Sequence, residues 1–271
     1  MSWLITGSQK VNWTPNAADY SLWLDADSNA TLFDATSGGS AVTDNGAVAR
    51  WESRATSANH VTQSTSGSRP IYKSTGFNGK KTVYFDGIDD FLQGTTLATF
   101  LDVDSFTLFL VGNAISANTD NSIAYNNEAF IGATLQNLSL FVRSSNLVGM
   151  SVYGIQDRSA TTPYTAGASS WAVFTGEQSS GQVRIALNGS AYTSSTAENR
   201  VAAAENLLLG KTGSVASNLY TLECNISEVL FSKRAIGDFE RRRIEGYLAH
   251  KWGLTTNLPN DHPFKVNPPA P

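Results

Sequence analysis

In Val183-Arg184-Ile185-Ala186-Leu187-Asn188-Gly189-Ser190 the large apolar side chains recur at every second position and then stop at Asn-Gly. A period of two places Val183, Ile185 and Leu187 on one side of an extended chain and Arg184 on the other, the pattern of a half-buried strand. Asn and Gly tolerate the positive φ of a tight turn, so the chain is expected to double back at Asn188-Gly189.

The same grammar repeats in both directions. Short β-branched or aromatic runs occur at Tyr20–Leu24, Thr82–Phe85, Phe106–Val111, Leu138–Val142, Trp171–Thr175, Leu207–Leu209 and Ile226–Phe231. Asn45-Gly46, Asn78-Gly79 and Asp86-Gly87 supply further turns. Many short strands separated by turn residues predict an all-β sandwich or barrel. Phe106-Thr-Leu-Phe-Leu-Val111 is apolar on both faces and is expected at the centre of a sheet. One helix interrupts the pattern near the C-terminus. Between Asp238, a plausible N-cap, and Gly253, a natural stop, Ile244, Tyr247, Leu248 and Trp252 share one stripe. Arg241–Arg243 fall mainly off that stripe and read as a solvated face.

The chain has 271 residues, of which 41% are hydrophobic and only 15% charged, so a substantial core is expected beneath a surface of Ser, Thr, Asn and Gly. With a formal charge of −4 and no basic cluster beyond Arg241–Arg243, nucleic-acid binding is disfavoured, because it needs cations to displace counterions. Cys224 is the single cysteine, which excludes an intrachain disulfide; within its apolar run it reads as a small buried hydrophobe. The opening Met-Ser-Trp-Leu-Ile-Thr-Gly lacks a basic n-region and a long apolar stretch, so no signal peptide is expected, and no run approaches the length of a membrane span. The expected organisation is an N-terminal arm over 1–16, one β domain over 17–258 that includes the helix 238–252, and a Pro-rich tail over 259–271. That tail holds five of the eight prolines and is expected to lie extended, docked on the body or on a partner.

Several blocks also look familial. They are Tyr20-Ser-Leu-Trp-Leu-Asp-Ala-Asp, Val48-Ala-Arg-Trp51-Glu-Ser-Arg with Asn59-His60-Val-Thr-Gln, and Arg69-Pro70 with Phe77-Asn-Gly-Lys. The most recognisable is Val83-Tyr-Phe-Asp-Gly-Ile-Asp-Asp-Phe-Leu92, and Ile226-Ser-Glu-Val-Leu-Phe, the helix 238–252 and Leu258-Pro…His262-Pro-Phe close the set. Together they resemble the concanavalin A-like lectin/glucanase superfamily, in particular laminin-G-like jelly-roll domains of bacterial and phage surface proteins. The resemblance spans about 18–265. It implies a two-sheet antiparallel jelly roll with one C-terminal helix, and it places Trp23, Trp51, Trp171 and Trp252 in the core. It does not choose among glycan binding, polysaccharide hydrolysis and a structural role.

Catalysis finds little support in the residues. The glycanases of this fold carry a Glu-x-Asp-x-(x)-Glu strand motif, whose two carboxylates flank the glycosidic bond. Here Glu223-Cys-Asn-Ile-Ser-Glu228 has Asn225 at the central position, and residues five apart on a plain strand face opposite ways, so a bulge would be needed. Asp25-Ala-Asp27-Ser-Asn29 begins like a calcium loop but has Ala30 and Thr36 where Gly and the closing Glu belong. Gly210-Lys211-Thr212 lacks the upstream glycine of a phosphate loop, and His60, His250 and His262 have no paired spacing for zinc. No cofactor is called for; the metal the residues can serve is calcium, at Asp86, Asp89 and Asp90. Tyr125, Tyr153 and Tyr164, in loop-like polar surroundings, are the candidate sugar-stacking side chains. The expectation is therefore a non-catalytic, surface-presenting protein, a bacteriophage virion component (capsid decoration, head fibre or tail-associated adhesin), with other virion or surface proteins and cell-surface glycan as partners and a homo-oligomer as an assembled form. The alternative is a secreted, extracellular glycan-binding module or glycoside hydrolase of the same fold.

Overall fold

The computed structural model describes residues 13–55, 59–102, 105–116, 128–143, 146–152, 159–196, 204–217 and 219–271. Two antiparallel sheets stack face to face. The eight-stranded sheet runs, edge to edge, through Thr193–Thr196, Gln182–Leu187, Ala172–Ser179, Phe106–Ala114, Glu223–Ser232, Thr82–Asp86 and Ile71–Lys73, and Leu22–Asp25 also pairs with Glu223–Ser232. The nine-stranded sheet runs through Ser159–Pro163, Leu147–Val152, Leu138–Arg143, Glu128–Ala133, Asn206–Leu209, Leu92–Thr96, His60–Thr62, Arg50–Glu52 and Leu32–Phe33. This is the expected two-sheet sandwich with one C-terminal helix. The turn residues behave as read: Asn45, Asn78 and Asn188 adopt φ of 62°, 53° and 52°, and Gly87 lies at 73°.

Phe106–Ala114 is buried along its whole length because its two faces meet different partners. Leu108 and Leu110 point into the sandwich with Phe85, Phe174, Val229 and Phe231. Phe109 and Val111 point outward, where with Trp23, Val173 and Leu230 they receive Ile244, Leu248 and Trp252 of the helix Asp238–Trp252. Each such Leu, Ile or Phe contributes roughly 1.5–3 kcal/mol by leaving water, so the helix is fixed to the sheet by its apolar stripe. It stops at Gly253, whose φ of 71° and N–H bond to the Ala249 carbonyl form a left-handed cap. Trp23, Trp51, Trp171 and Trp252 are core residues, and Cys224 is buried.

The helix departs from the sequence reading in two places. Gly237 is the N-cap, and the Asp238 carboxylate instead accepts from Arg241 Nη2 at 2.7 Å. Arg241 is not solvated but 1% exposed, and its Nη1 donates to Glu245, itself fully buried, at 2.8 and 3.0 Å. Thr175 Oγ1 donates to the same carboxylate at 2.7 Å, and the Arg241 guanidinium stacks on Tyr192, 4.6 Å from its ring centre. Burial opposes the Arg241 charge, but Glu245 and Asp238 more than offset it and hold its pKa above the ordinary value. An i,i+4 pair of opposite charge is indistinguishable in sequence from a solvated one; the sheet beneath it decides. The tail packs along the helix. Phe264 lies over Gly246, where a Cβ would come within 2.5 Å of it, its carbonyl meets His250 Nε2 at 2.8 Å, and Trp13 N donates to Pro269 O at 3.0 Å. Among the described residues no helix is long and apolar enough to cross a membrane.

Candidate ligand-binding face

The strand Glu223–Ser232 divides one sheet face into two environments. Against Phe106–Ala114 its register shifts between Ile226 and Glu228, a bulge at Ser227. Before the bulge Cys224 and Ile226 point into the sandwich; after it Val229 and Phe231 do. The extra residue therefore keeps Glu223, Asn225, Glu228 and Leu230 all on the outer face. The neighbour along one edge changes at the same place, from Thr82–Asp86 beside 223–226 to Leu22–Asp25 beside 228–231.

The half beyond the bulge lies under the helix. Glu228 is fully buried and accepts from Trp23 Nε1 at 2.8 Å, Trp252 Nε1 at 2.6 Å and Lys251 Nζ at 2.8 Å. Lys251 also pairs with Asp25 at 2.8 Å, and Asp25 takes a further ion pair from Arg54. Burial pushes Glu228 up while Lys251 opposes the shift; burial also pulls Lys251 down, but Glu228 and Asp25 outweigh it, so the lysine holds its proton firmly. Asp25, the head of the calcium-loop-like sequence, is thus a structural ion-pair partner.

The other half is open. Tyr84, flanked in sequence by the inward Val83 and Phe85, faces outward, and its hydroxyl donates to Glu223 Oε1 at 3.0 Å; Ser116 Oγ donates to Oε2 at 2.7 Å. Burial and this hydrogen bond push the Tyr84 phenol up to about 12. Lys73 Nζ lies 5.8 Å from the Tyr84 ring centre and donates to Asn45 Oδ1 at 2.8 Å. Asn225 Nδ2 donates to Asn113 Oδ1 at 3.0 Å, and Asn113 Nδ2 is held by the Gly167 and Ala168 carbonyls. Phe77 stacks on Trp171 with ring centres 4.9 Å apart and an interplanar angle of 17°. Asn78 beside it ties this corner to the helix end by donating to the Trp252 and Gly253 carbonyls. A groove of about 690 Å³ opens on the other sheet, and one of about 470 Å³ opens here, lined by Asp44, Asn45, Lys73, Phe77, Trp171 and Asn225. Sequence reading missed Tyr84 as an outward group, although strict alternation in 82–86 carried the signal, and it missed Asn113, which is fully buried and acts by holding Asn225.

The acidic turn adjoins this face, because Glu223 pairs directly with Asp86. Asp86, Asp89 and Asp90 bring a carboxylate oxygen each within 4.8 Å of one another. Asp86 Oδ1 accepts from the backbone N–H of Ile88 at 2.8 Å, Asp89 accepts from Ser68 Oγ at 3.1 Å, and Asp90 accepts from the Asp86 N–H at 3.1 Å. Burial, with Asp86 beside it, pushes Asp90 up to about 7. Three hard oxygen donors on a crowded turn fit a calcium ion. They equally shape the turn through side-chain-to-backbone bonds.

The other sequence candidates separate. Tyr164 is 6% exposed: its ring packs edge-on to Phe174, and its hydroxyl accepts from Ala114 N and donates to Ser170 O, both at 2.9 Å. It is a core residue and offers no open face, because the strand-end loop that looked polar folds inward around that hydroxyl. Tyr125 and Tyr153 lie outside the described residues. The bulge does bring Glu223 and Glu228 to one face, but at about 3.3 Å per residue they stand roughly 13–16 Å apart, and Glu228 is sealed. A glycosidase pair needs about 5–9.5 Å, so these two do not converge. Lys211, in the phosphate-loop-like triplet, is fully buried, donates to Ser217 O at 2.6 Å and lies 5.0 Å from the Phe91 ring centre.

The sequence matches no protein-family model and no curated protein. Solved structures are similar in fold. Trypanosoma rangeli sialidase, in complex with a difluorinated nononic acid, superposes with a TM-score of 0.56 at 12% identity over 88% of this chain and 33% of its own. The binding domain of Paraclostridial Mosquitocidal Protein 1 gives 0.56 at 12% identity, over 85% of this chain and 52% of that one. Domain 4 of AbnA, an extracellular GH43 arabinanase from Geobacillus stearothermophilus, in complex with arabinotriose, gives 0.53 at 14%, over 83% and 97%. This chain thus spans about a third of the sialidase and nearly all of the arabinanase domain. The likenesses agree with a concanavalin A-like sandwich and extend to fold alone.

Proposed function

We propose that the chain is a non-catalytic, surface-presenting module that binds carbohydrate on the open half of its eight-stranded sheet. The observation that carries this reading is the groove in which the Phe77–Trp171 stack stands beside Asn45, Lys73 and Asn225. The half-buried Phe77 ring, braced by the buried Trp171, can take the apolar face of a sugar ring, and the Asn225 amide, held in place by Asn113, offers polar contacts without reorganising. The arabinotriose in the complex of AbnA domain 4, 97% of which this chain covers, supports the same ligand class. Calcium at Asp86, Asp89 and Asp90 belongs to the proposal: those carboxylates would hold the ion, and its charge would relieve their mutual repulsion. A virion surface is the setting we propose, with an extracellular module as the alternative; a weakly charged Ser/Thr/Asn-rich exterior suits either. Binding of the purified chain to an array of oligosaccharides, in calcium and in chelator, tests it. The expected result is a defined glycan whose binding falls at least tenfold in Asn225→Ala and Lys73→Ala; an array with no bound glycan overturns it.

One observation favours a catalytic reading: Glu223 stands directly opposite Asp86, and cross-strand Cβ atoms are about 4.5–5.5 Å apart. Cleavage of the bound oligosaccharide, abolished in Glu223→Gln with binding retained, would replace the non-catalytic reading.

A further inference from the structure

The nine-stranded sheet carries a groove that the reading above does not use. His60–Thr62 and Leu92–Thr96 pair only at Thr62 and Gln93, so the sheet opens between them. A space of about 690 Å³ is walled by 62–65, Ser68, 93–95 and Val215, with Phe91 as its aromatic surface. Val61 and Leu92 point into the core, which turns Thr62 and Gln93 outward. Gln63, 5% exposed, is locked: its Nε2 donates to Phe91 O at 3.1 Å and its Oε1 accepts from Thr65 N at 3.0 Å. The wall is therefore preformed. Among the described residues the side chains of Thr62, Gln93 and Thr95 make no hydrogen bond within the chain, so their donors and acceptors remain for a ligand.

We infer that this groove is a second carbohydrate site, specific for a neutral saccharide, on the sheet opposite the first. The charge of its lining chooses the ligand class. Among the described residues no Asp, Glu, Lys or Arg lines the groove, and His60 is the one titratable side chain in that lining. A phosphate, a uronic acid or a charged peptide would find no counter-ion in this lining, since Arg69 is spent on the Gln63 and Ser64 carbonyls and Lys211 is buried on Ser217 O. A hydroxyl-rich ring, by contrast, can pair with hydroxyls and amides and lay an apolar face on Phe91. The ring of Phe91 is held from behind by Lys211, 5.0 Å from its centre, and its N–H donates to Ser68 O at 3.2 Å. With sites on opposite faces the module would bridge two glycan chains, and on a surface displaying many glycans the second contact would add avidity without new contacts at the first.

The site stands whether or not the first face binds sugar, and one array of neutral and charged oligosaccharides separates the two. Wild type is compared with a variant of the open face, Lys73→Ala with Asn225→Ala, and with two of the groove, Gln93→Lys and Phe91→Ala, each checked for an intact thermal transition. The inference expects the open-face variant to retain binding to at least one neutral oligosaccharide. That binding should weaken at least tenfold in Gln93→Lys, which only adds a charge at the surface, and in Phe91→Ala. Complete loss of neutral-glycan binding in the open-face variant, or unchanged binding in Gln93→Lys, overturns it. Failure of the first reading shows differently, as groove variants that bind nothing.

Discussion

Glu223 and Glu228 sit on the same strand and, thanks to the bulge at Ser227, on the same face, yet they belong to different chemistries. Glu228 is sealed beneath the helix with two indole N–H groups and a lysine on its oxygens. Among the described residues Glu223 meets two hydroxyls, at the edge of an open groove. What separates them is the cover. The apolar stripe of the helix ends at Trp252, and beyond Gly253 nothing of that helix lies over the sheet. A charge under a cover must be fully paired for the fold to stand; a charge beyond it can wait for a ligand.

The largest expected effect comes from breaking the covered half. Glu228→Ala leaves Lys251 buried with less compensation and strips the acceptor from Trp23 and Trp252. Removing one partner of a buried ion pair costs about 3–5 kcal/mol, so urea unfolding should show a loss of this size with glycan binding at 25 °C unchanged in the folded fraction. A loss below about 1 kcal/mol would mean that the helix is held by its apolar stripe alone. Arg241→Ala is the matching cut at the other end of the helix, where Glu245 would be stranded. It is expected to cost a similar amount, again read from the unfolding midpoint.

A smaller, pH-dependent effect belongs to the acidic turn that adjoins the open half at Glu223. The folded pKa of Asp90, about 7, lies above the ordinary carboxylate value near 4. The native state thus binds that proton more tightly than the unfolded chain. Its contribution is complete below about pH 4 and is lost as pH rises through about 7. Asp90→Asn, whose amide oxygen can still accept from the Asp86 N–H, should raise the melting temperature at pH 8 in chelator and leave it nearly unchanged at pH 4. Calcium inverts the comparison if it binds: millimolar calcium should raise the wild-type melting temperature at pH 8 and shift the variant less.

How far the sequence carries this comparison depends on the interaction. Period-two runs and Asn-Gly turns are local, and the strands, the turns and the span of the helix follow from them. The placement of Tyr84 outward, between Val83 and Phe85, is local too. The bulge at Ser227 is not: nothing in Ile226-Ser227-Glu228 marks an extra residue, and one slip inverts every later side chain. Nor is burial of a charge local. Arg241 and Glu245 carry the signature of a surface pair, and only Thr175 and Tyr192, far away in sequence, make them a core pair. Tyr164 fails as a surface residue for the same reason, since its partners Ala114 and Ser170 come from another strand and a turn.

The smallest change in stability is expected on the open half, and it makes the sharpest test. Glu223→Gln keeps the shape, still accepts from Tyr84 and Ser116 through its amide oxygen in part, and sits where solvent can satisfy the rest. A half-buried hydrogen-bonded group of this kind contributes about 0.5–1.5 kcal/mol, so the unfolding midpoint should move little. Its effect on the ligand is the informative part. If the open face binds sugar through Asn225 and Lys73 with Glu223 only bracing Tyr84, calorimetric affinity should fall less than fivefold and no hydrolysis should be seen in either protein. Should Glu223→Gln instead abolish binding while the fold stands, the carboxylate itself contacts the ligand, and the site extends along the strand toward Asp86.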